Sequence, residues 1–194
     1  CGENDDIDKI IPLNDMKGYE LLKATMFGFG YPNYGVALLL KEEATGKIFL
    51  QRVKITGSNA KPRILEIFKD EVIGLPGIPT VSALPLNGPE YMFFAVDKNV
   101  YCLDLNNITK PVTLYKSFDA NVVAMNAESE TYSCAHMAVG LENGEFYILM
   151  IYGAKNLSEE EKVIYPKHGA AYPAEERMGR IVDIKYKQLD HWNY

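Results

Sequence analysis

Residues 132–152 read YSCAHMAVGLENGEFYILMIY, and this stretch decides the fold. It consists of two apolar runs of strand length, separated by Glu142-Asn143-Gly144. Asparagine and glycine both accept a positive φ at low cost, so Asn143-Gly144 predicts a hairpin with a type I′ turn. The same unit recurs twice upstream, and the hairpin is therefore the repeating element of the chain.

The composition is that of a folded domain, with 47% hydrophobic and 24% charged residues among 194. The net charge is −6 and there is no basic cluster, which argues against nucleic acid as a partner. The same charge balance argues against direct binding to an anionic membrane surface. No apolar run approaches the roughly 20 residues that a membrane-spanning helix needs. Any membrane association is therefore expected only through a lipid anchor.

The strand pattern recurs in cycles that begin at similar positions. The opening strands align at Leu22, Val81, Val122 and Ile181, with offsets of 59, 41 and 59 residues. Four short strands in a unit of about 40–50 residues is the spacing of propeller blades. We therefore predict an all-β, propeller-like domain over 19–194, preceded by an acidic tether or edge segment. The predicted blades are 19–70, 80–118, 121–166 and a partial blade at 179–188.

A β-sandwich is the alternative, since it also has short strands at regular spacing. The runs Val36–Leu40 and Tyr91–Val96 are apolar on both faces, as expected of blades stacked between two neighbours, and they favour the propeller. Three blades and one strand do not close a ring, because propellers have at least four blades. We expect either a C-terminal part of a longer protein or a ring that another chain completes. The Pro-rich stretch 165–173 is predicted to be an irregular loop that projects from the third blade.

The cysteines are too few for a disulfide framework. We expect Cys102 and Cys134 to be small buried side chains that pair only if neighbouring strands bring them together. Cys1 opens the stretch CGENDDID, which resembles the start of a mature, surface-exported bacterial lipoprotein. That resemblance predicts lipidation of Cys1; an arbitrary chain boundary is the alternative.

The repeats carry a family resemblance in three stretches: YGVALLLKEEATGKIFLQRV (34–53), EYMFFAVDKNVYCLDLNN (90–107) and ERMGRIVDIKYKQ (176–188). They resemble the C-terminal, propeller-like part of the PKD-like family of Bacteroidota lipoproteins, over most of residues 13–188. The resemblance implies a cell-envelope protein, in the outer membrane, at the cell surface or in the periplasm. It also implies packing against an N-terminal immunoglobulin-like region that this chain lacks, and it brings no catalytic residues.

No catalytic or metal site assembles from the sequence. Cys134 and His136 share a strand face, but a structural zinc site needs four ligands, so we expect a core or inter-blade histidine and no metal. A triad of Ser133, His136 and Asp183 fails because Ser133 and His136 point to opposite faces of one strand. We predict no cofactor.

Glycoside hydrolysis needs two convergent carboxylates. The available carboxylates are Asp97, Asp104, Glu142 and Asp183. Asp97 and Glu142 lie in predicted hairpin turns, where a solvated side chain is the rule. A propeller-type glycoside hydrolase or lyase is therefore kept only as an alternative, beside a purely structural assembly domain.

Aromatic side chains in loops supply the predicted binding residues, because flat rings with polar tips stack on sugars and peptides. These residues are Phe29, Tyr31, Tyr34, His168, Tyr172 and Trp192. The alternative is that the rings between Phe29 and Tyr34 only cover the end of the first blade. The first hypothesis is a non-catalytic module that binds a glycan, peptide or protein partner.

Overall fold

A computed structural model describes residues 16–28, 34–58, 61–85, 90–131, 134–152 and 166–171. The described residues form twelve β-strands and no helix, so the all-β prediction is confirmed. None of these residues belongs to a helix that is long and apolar enough to cross a membrane. The chain divides into two compact units, Cys1–Lys69 (unit 1) and Asp70–Tyr194 (unit 2). Residues 1–15 of the predicted tether lie outside the described residues, and so does the predicted partial blade at 179–188.

Unit 1 contains a four-stranded antiparallel sheet in which the strands follow each other in chain order. Its strands are β1 (Tyr19–Gly28), β2 (Tyr34–Glu42), β3 (Ile48–Ser58) and β4 (Lys61–Glu71), of which the last two residues belong to unit 2. Successive side chains of a strand point to opposite faces. Because Leu38, Leu39 and Leu40 are all buried, both faces of β2 are covered, as the continuous apolar run predicts.

Unit 2 contains two further four-stranded sheets of the same chain-order topology. The first consists of β5 (Val81–Ala83), β6 (Tyr91–Val96), β7 (Asn99–Asp104) and β8 (Thr113–Ser117). The second consists of β9 (Val122–Thr131), β10 (Cys134–Leu141), β11 (Phe146–Tyr152) and β12 (Pro166–Ala171). We refer to them as the β5–β8 sheet and the β9–β12 sheet.

The prediction of an irregular loop at 165–173 is wrong, because 166–171 form strand β12 paired with β11. Proline cannot donate to a sheet ladder and is tolerated mainly in edge strands. Pro166 is the first residue of β12, which is the last strand in its sheet order. The proline therefore marks an edge strand here rather than a loop.

The hairpin at Glu142-Asn143-Gly144 forms, but the predicted type I′ turn is wrong. That turn needs positive φ at both central residues. In this loop only Gly144 has positive φ, at 88°. The Gly144 N–H donates to the Leu141 carbonyl (3.1 Å) and the Leu141 N–H to the Glu145 carbonyl (2.9 Å). This is a three-residue loop, and the Asn143 side-chain oxygen stabilises it by accepting from the Glu145 N–H at 3.1 Å.

The core of unit 2 lies between its two sheets. Phe93 and Val100 of the β5–β8 sheet and Met137 and Leu149 of the β9–β12 sheet belong to one cluster of buried side chains. The first strands of the two sheets, β5 and β9, lie against each other. Fully burying one large apolar side chain contributes about 1.5–3 kcal/mol, so this interface is the main source of stability in unit 2.

Backbone and hydroxyl groups join the two sheets at one point, Val122. Its N–H donates to the Asp97 carbonyl at 2.8 Å. Its carbonyl accepts from the Thr80 hydroxyl at 3.2 Å, and the same hydroxyl lies 3.3 Å from the Ala95 carbonyl. The first residue of β9 is therefore held from both sides by the preceding sheet.

Thr80 offers a direct test of this link. Thr80→Val keeps the shape but removes the hydroxyl, and we expect the free energy of unfolding to fall by about 1 kcal/mol. The measurement is urea denaturation at pH 7. Thr113→Val is the matched control, since Thr113 is exposed and no side-chain hydrogen bond is seen for it among the described residues. Equal stability of the two variants would contradict the link.

Asp97 offers a second test, because it is the only described residue other than glycine with positive φ, at 52°. Asp97→Gly should maintain or slightly raise stability, since glycine adopts this conformation freely. Asp97→Val should lower the free energy of unfolding by about 1–2 kcal/mol, because a β-branched side chain clashes with the backbone at positive φ, where aspartate is tolerated. Both variants lose the carboxylate. An equal fall in the free energy of unfolding in the two variants would therefore show that the carboxylate matters rather than the backbone conformation.

Candidate functional site

Most of the predicted binding residues lie outside the part of the chain that the structure describes. The structure describes only the backbone of Tyr34, the first residue of β2, and of His168, within β12. The others lie outside the described residues: Cys1, Phe29, Tyr31, Tyr172 and Trp192. The aromatic binding site therefore stays a prediction.

The candidate site that the structure does show is one end of unit 2. We call it the turn end: Thr80, the turn Asp97–Lys98, the link 118–121 and the turn 142–145. Three hydrogen bonds hold its segments together besides those of Thr80, one of them donated by the Asn121 N–H to a side-chain oxygen of Glu142 at 3.4 Å. The Phe118 N–H donates to the Lys98 carbonyl and the Glu142 N–H to the Asn121 carbonyl, both at 2.9 Å. Turns and link are thus fixed to each other through their backbones.

The side chains of the turn end point into water. Six of its polar residues are exposed: Thr80, Asp97, Lys98, Asp119, Asn121 and Glu142. Beneath them Phe118 is buried and its ring lies 5.0 Å from that of Tyr147. The result is a mostly acidic surface, on hydrogen-bonded turns, whose carboxylates and amide can bind hydroxyl, amide or cationic groups.

Two of the predicted carboxylates lie at this end of unit 2 and a third does not. Asp97 and Glu142 both lie in the turn end. Asp104 ends β7, the strand that begins just after the Asp97 turn. Five residue steps at about 3.3 Å place it about 17 Å further along the strand, beyond the 5–10 Å that paired carboxylates need. Asp183, the fourth candidate, lies outside the described residues.

Sequence reasoning missed Asp119 and Asn121 as surface residues of a site. Asp97 and Glu142 were read separately, as solvated turn residues. One feature of the sequence could have pointed to them. Each cycle contains one turn between its second and third strands, and one link joins each cycle to the next, so equivalent segments recur at regular positions. Only the packing of the two sheets shows that these segments meet.

Of the two metal candidates, Cys134 and His136, the structure describes the side chain of His136 alone. His136 is half-buried in β10, and its strand partner on the neighbouring β9 is Glu128. The Cys134 side chain and all of Ser133 are outside what the structure describes. Among the described residues there is no group of three side chains that could hold a metal ion.

Cys102 is a free, buried thiol in the core of unit 2, as expected, and is not paired with Cys134. Burial raises the pKa of the Cys102 thiol well above its usual range, and the nearby Asp104 carboxylate raises it further. Burial and Cys102 likewise raise the pKa of Tyr115. The Tyr115 hydroxyl has no hydrogen-bond partner among the described residues. Because a protonated thiol is a poor nucleophile, Cys102 serves the core rather than chemistry.

The raised pKa of Cys102 predicts instability at high pH. When folding raises the pKa of a group, that group stabilises the folded state fully at pH values below its pKa in the unfolded chain. This contribution is lost as the pH rises above that value. We expect the free energy of unfolding to fall above about pH 9, since the unfolded thiol ionises there. Cys102→Ala should make this fall shallower, by up to about 1.4 kcal/mol per pH unit.

Urea denaturation at pH 7, 9, 10 and 11 measures the slope. Val100→Ala is the control, because Val100 lies in the same core cluster and carries no ionisable group. It should lower stability by the same amount at every pH. An unchanged slope in Cys102→Ala would show that the thiol ionises equally in the folded and unfolded chains.

The chain was also compared with known proteins. No protein-family model matches it, and no curated protein matches it. The resemblance to PKD-like lipoproteins and the envelope location therefore remain predictions from the sequence.

Proposed function

We propose that the chain is a non-catalytic binding module of the cell envelope, with a propeller-like β scaffold. It recognises a glycan, peptide or protein partner through loops, including those of the turn end. The observation that carries the proposal is that exposed polar side chains are held on turns whose backbones are hydrogen-bonded to each other. Loops positioned by a rigid scaffold are where recognition residues concentrate.

The propeller-like arrangement is supported by the strand order. Each of the three sheets consists of four consecutive strands. In a β-sandwich of the immunoglobulin type, Greek-key connections instead place non-consecutive strands side by side. Face-to-face packing of the β5–β8 and β9–β12 sheets is also what neighbouring propeller blades need.

A recurring hydrogen bond supports the same arrangement. In unit 1 the Glu43 N–H, in the turn after β2, donates to the carbonyl of Gly18, just before β1. In unit 2 the Glu142 N–H, in the turn after β10, donates to the carbonyl of Asn121, just before β9. Both distances are 2.9 Å. Equivalent positions of the repeat thus form the same bond, which favours structural repeats over unrelated sheets.

The ligand classes follow from the exposed groups. Carboxylate and amide oxygens accept hydrogen bonds from sugar hydroxyls and from peptide or lysine N–H groups. The predicted aromatic residues Phe29, Tyr31 and Tyr34 would add stacking surfaces. The envelope location is supported by the lipoprotein-like stretch at Cys1 and by the family resemblance.

A binding screen tests the proposal. The purified chain is applied to glycan and peptide arrays, and a hit is titrated by calorimetry. Asp119→Ala removes one exposed carboxylate of the turn end, and we expect it to raise Kd at least about tenfold, because a hydrogen bond to a charged group contributes about 1.5–3 kcal/mol. Phe29→Ala and Tyr31→Ala test the aromatic loop in the same assay.

Lys110→Ala is the matched control, since Lys110 is exposed in the connection between β7 and β8, away from the turn end. It should leave Kd unchanged. Binding that none of the three variants weakens would refute recognition through these loops. Mass spectrometry of the bound glycan after incubation checks the enzyme alternative, which predicts cleavage products.

A further inference from the structure

We propose that Asn143-Gly144, in the turn 142–145, is a site of spontaneous deamidation that the folded chain keeps unreactive until this turn opens. The proposal concerns the covalent chemistry of the chain itself and does not depend on which ligand the turn end binds. The structure describes three turns between a second and a third strand, at 43–47, 97–98 and 142–145. Of these three, only the last contains an asparagine followed by glycine.

Deamidation begins when the backbone nitrogen of Gly144 attacks Cγ of the Asn143 side chain. A bond between this nitrogen and Cγ forms and the bond from Cγ to Nδ2 breaks. Nδ2 leaves as ammonia, with the proton that the Gly144 nitrogen has lost. Water then opens the five-membered succinimide ring and leaves aspartate or isoaspartate at position 143. A glycine after the asparagine favours the reaction, because it has no side chain to hinder the approach and its backbone bends freely.

The folded turn restrains the attacking nitrogen. The Gly144 N–H donates to the Leu141 carbonyl at 3.1 Å, and Gly144 is buried. The nitrogen can attack only after it has lost this proton, so the bond to Leu141 must break and water must enter the loop. The flanking bond from the Leu141 N–H to the Glu145 carbonyl, at 2.9 Å, holds the loop closed. The turn therefore has to open before the reaction starts.

The folded turn also restrains the side-chain amide that is attacked. The Asn143 side-chain oxygen accepts from the Glu145 N–H, and Nδ2 of Asn143 donates to a carboxylate oxygen of Glu145, both at 3.1 Å. Attack makes the planar Cγ tetrahedral and expels Nδ2, which disrupts both bonds. A hydrogen bond to a charged acceptor is about twice as strong as a neutral one. The Glu145 carboxylate therefore contributes most to holding the amide in place.

The product no longer fits this turn. A carboxylate at position 143 has no hydrogen to donate, so the bond to the Glu145 carboxylate is lost and two negative charges face each other. Isoaspartate also routes the backbone through the side chain and lengthens it by one methylene group. This changes the spacing between Leu141 and Glu145, whose backbone groups close the loop. Because the turn belongs to the turn end, deamidation alters that surface permanently.

The rate of deamidation in the full chain tests the proposal. The chain is incubated at about pH 8, folded or in guanidinium chloride, and peptide mapping by mass spectrometry follows the conversion of amide to acid. We expect Asn143 to react at least about thirtyfold more slowly in the folded chain, because several hydrogen bonds must break first and each contributes about fivefold or more. Asn87-Gly88 is the internal control, since in denaturant it should react about as fast as Asn143.

Glu145→Ala tests the contact that carries the proposal. It removes the carboxylate that accepts from Nδ2 and keeps the backbone N–H, so we expect Asn143 in the folded chain to react about tenfold faster. Glu142→Ala is the matched control, because it removes from the same turn a carboxylate that accepts from the Asn121 N–H. Leu103→Val lowers overall stability by removing one methylene group of a buried side chain near the other end of β7. Both controls should change the rate less than about threefold.

Equal rates for Asn143 in the folded and the denatured chain would overturn the proposal. An unchanged or slower reaction in Glu145→Ala would overturn it as well. The same acceleration in Glu142→Ala would assign the effect to charge, and the same acceleration in Leu103→Val would assign the reaction to global unfolding; either result contradicts local control by the turn. A chain that binds no array ligand but shows the expected rates would refute the proposed function alone.

Discussion

Unit 2 depends on one constraint: a four-stranded sheet that is apolar on a face must bury that face against another layer. Phe93 and Met137 are fully buried only because the β5–β8 and β9–β12 sheets pack together. Neither sheet can cover this surface alone, since a single meander has no second layer. The stacking of sheets therefore follows from the composition of their central strands, and the positions of the turns follow from the stacking.

The hydrogen bonds around Val122 convert that packing into a defined geometry. Apolar contact is non-directional and would tolerate sliding of one sheet over the other. The carbonyl of Asp97 and the hydroxyl of Thr80 hold the first residue of β9 at one position. Because these bonds lie at the same end as the turns, they also fix the spacing of the exposed carboxylates. The scaffold and the candidate recognition surface thus share the same few backbone groups.

Much of the fold could be predicted from local patterns. Apolar runs such as Tyr91–Val96 and Val122–Asn126 marked strands, and Gly144 marked a turn. The type of that turn was not predictable, because the Glu145 N–H donates to the Asn143 side-chain oxygen, and this bond competes with the conformation that Asn-Gly otherwise favours. Strand β12 was missed because a proline such as Pro166 indicates a loop unless the strand is known to lie at the edge of its sheet. The aromatic binding residues remain untested, as their side chains lie outside what the structure describes.

The sequence by itself determined the class of the protein: all-β, with strands in consecutive hairpins, a buried cysteine at 102 and no cluster of basic residues along the chain. These properties depend on side-chain periodicity, turn residues and charge, which are local. Only the tertiary structure decided which residues meet. Asp97, Asn121 and Glu142 are separated by up to 45 positions in the chain, and no local pattern relates them. They come together because two sheets bury one core between them, and burial depends on surfaces that form only after the strands have paired.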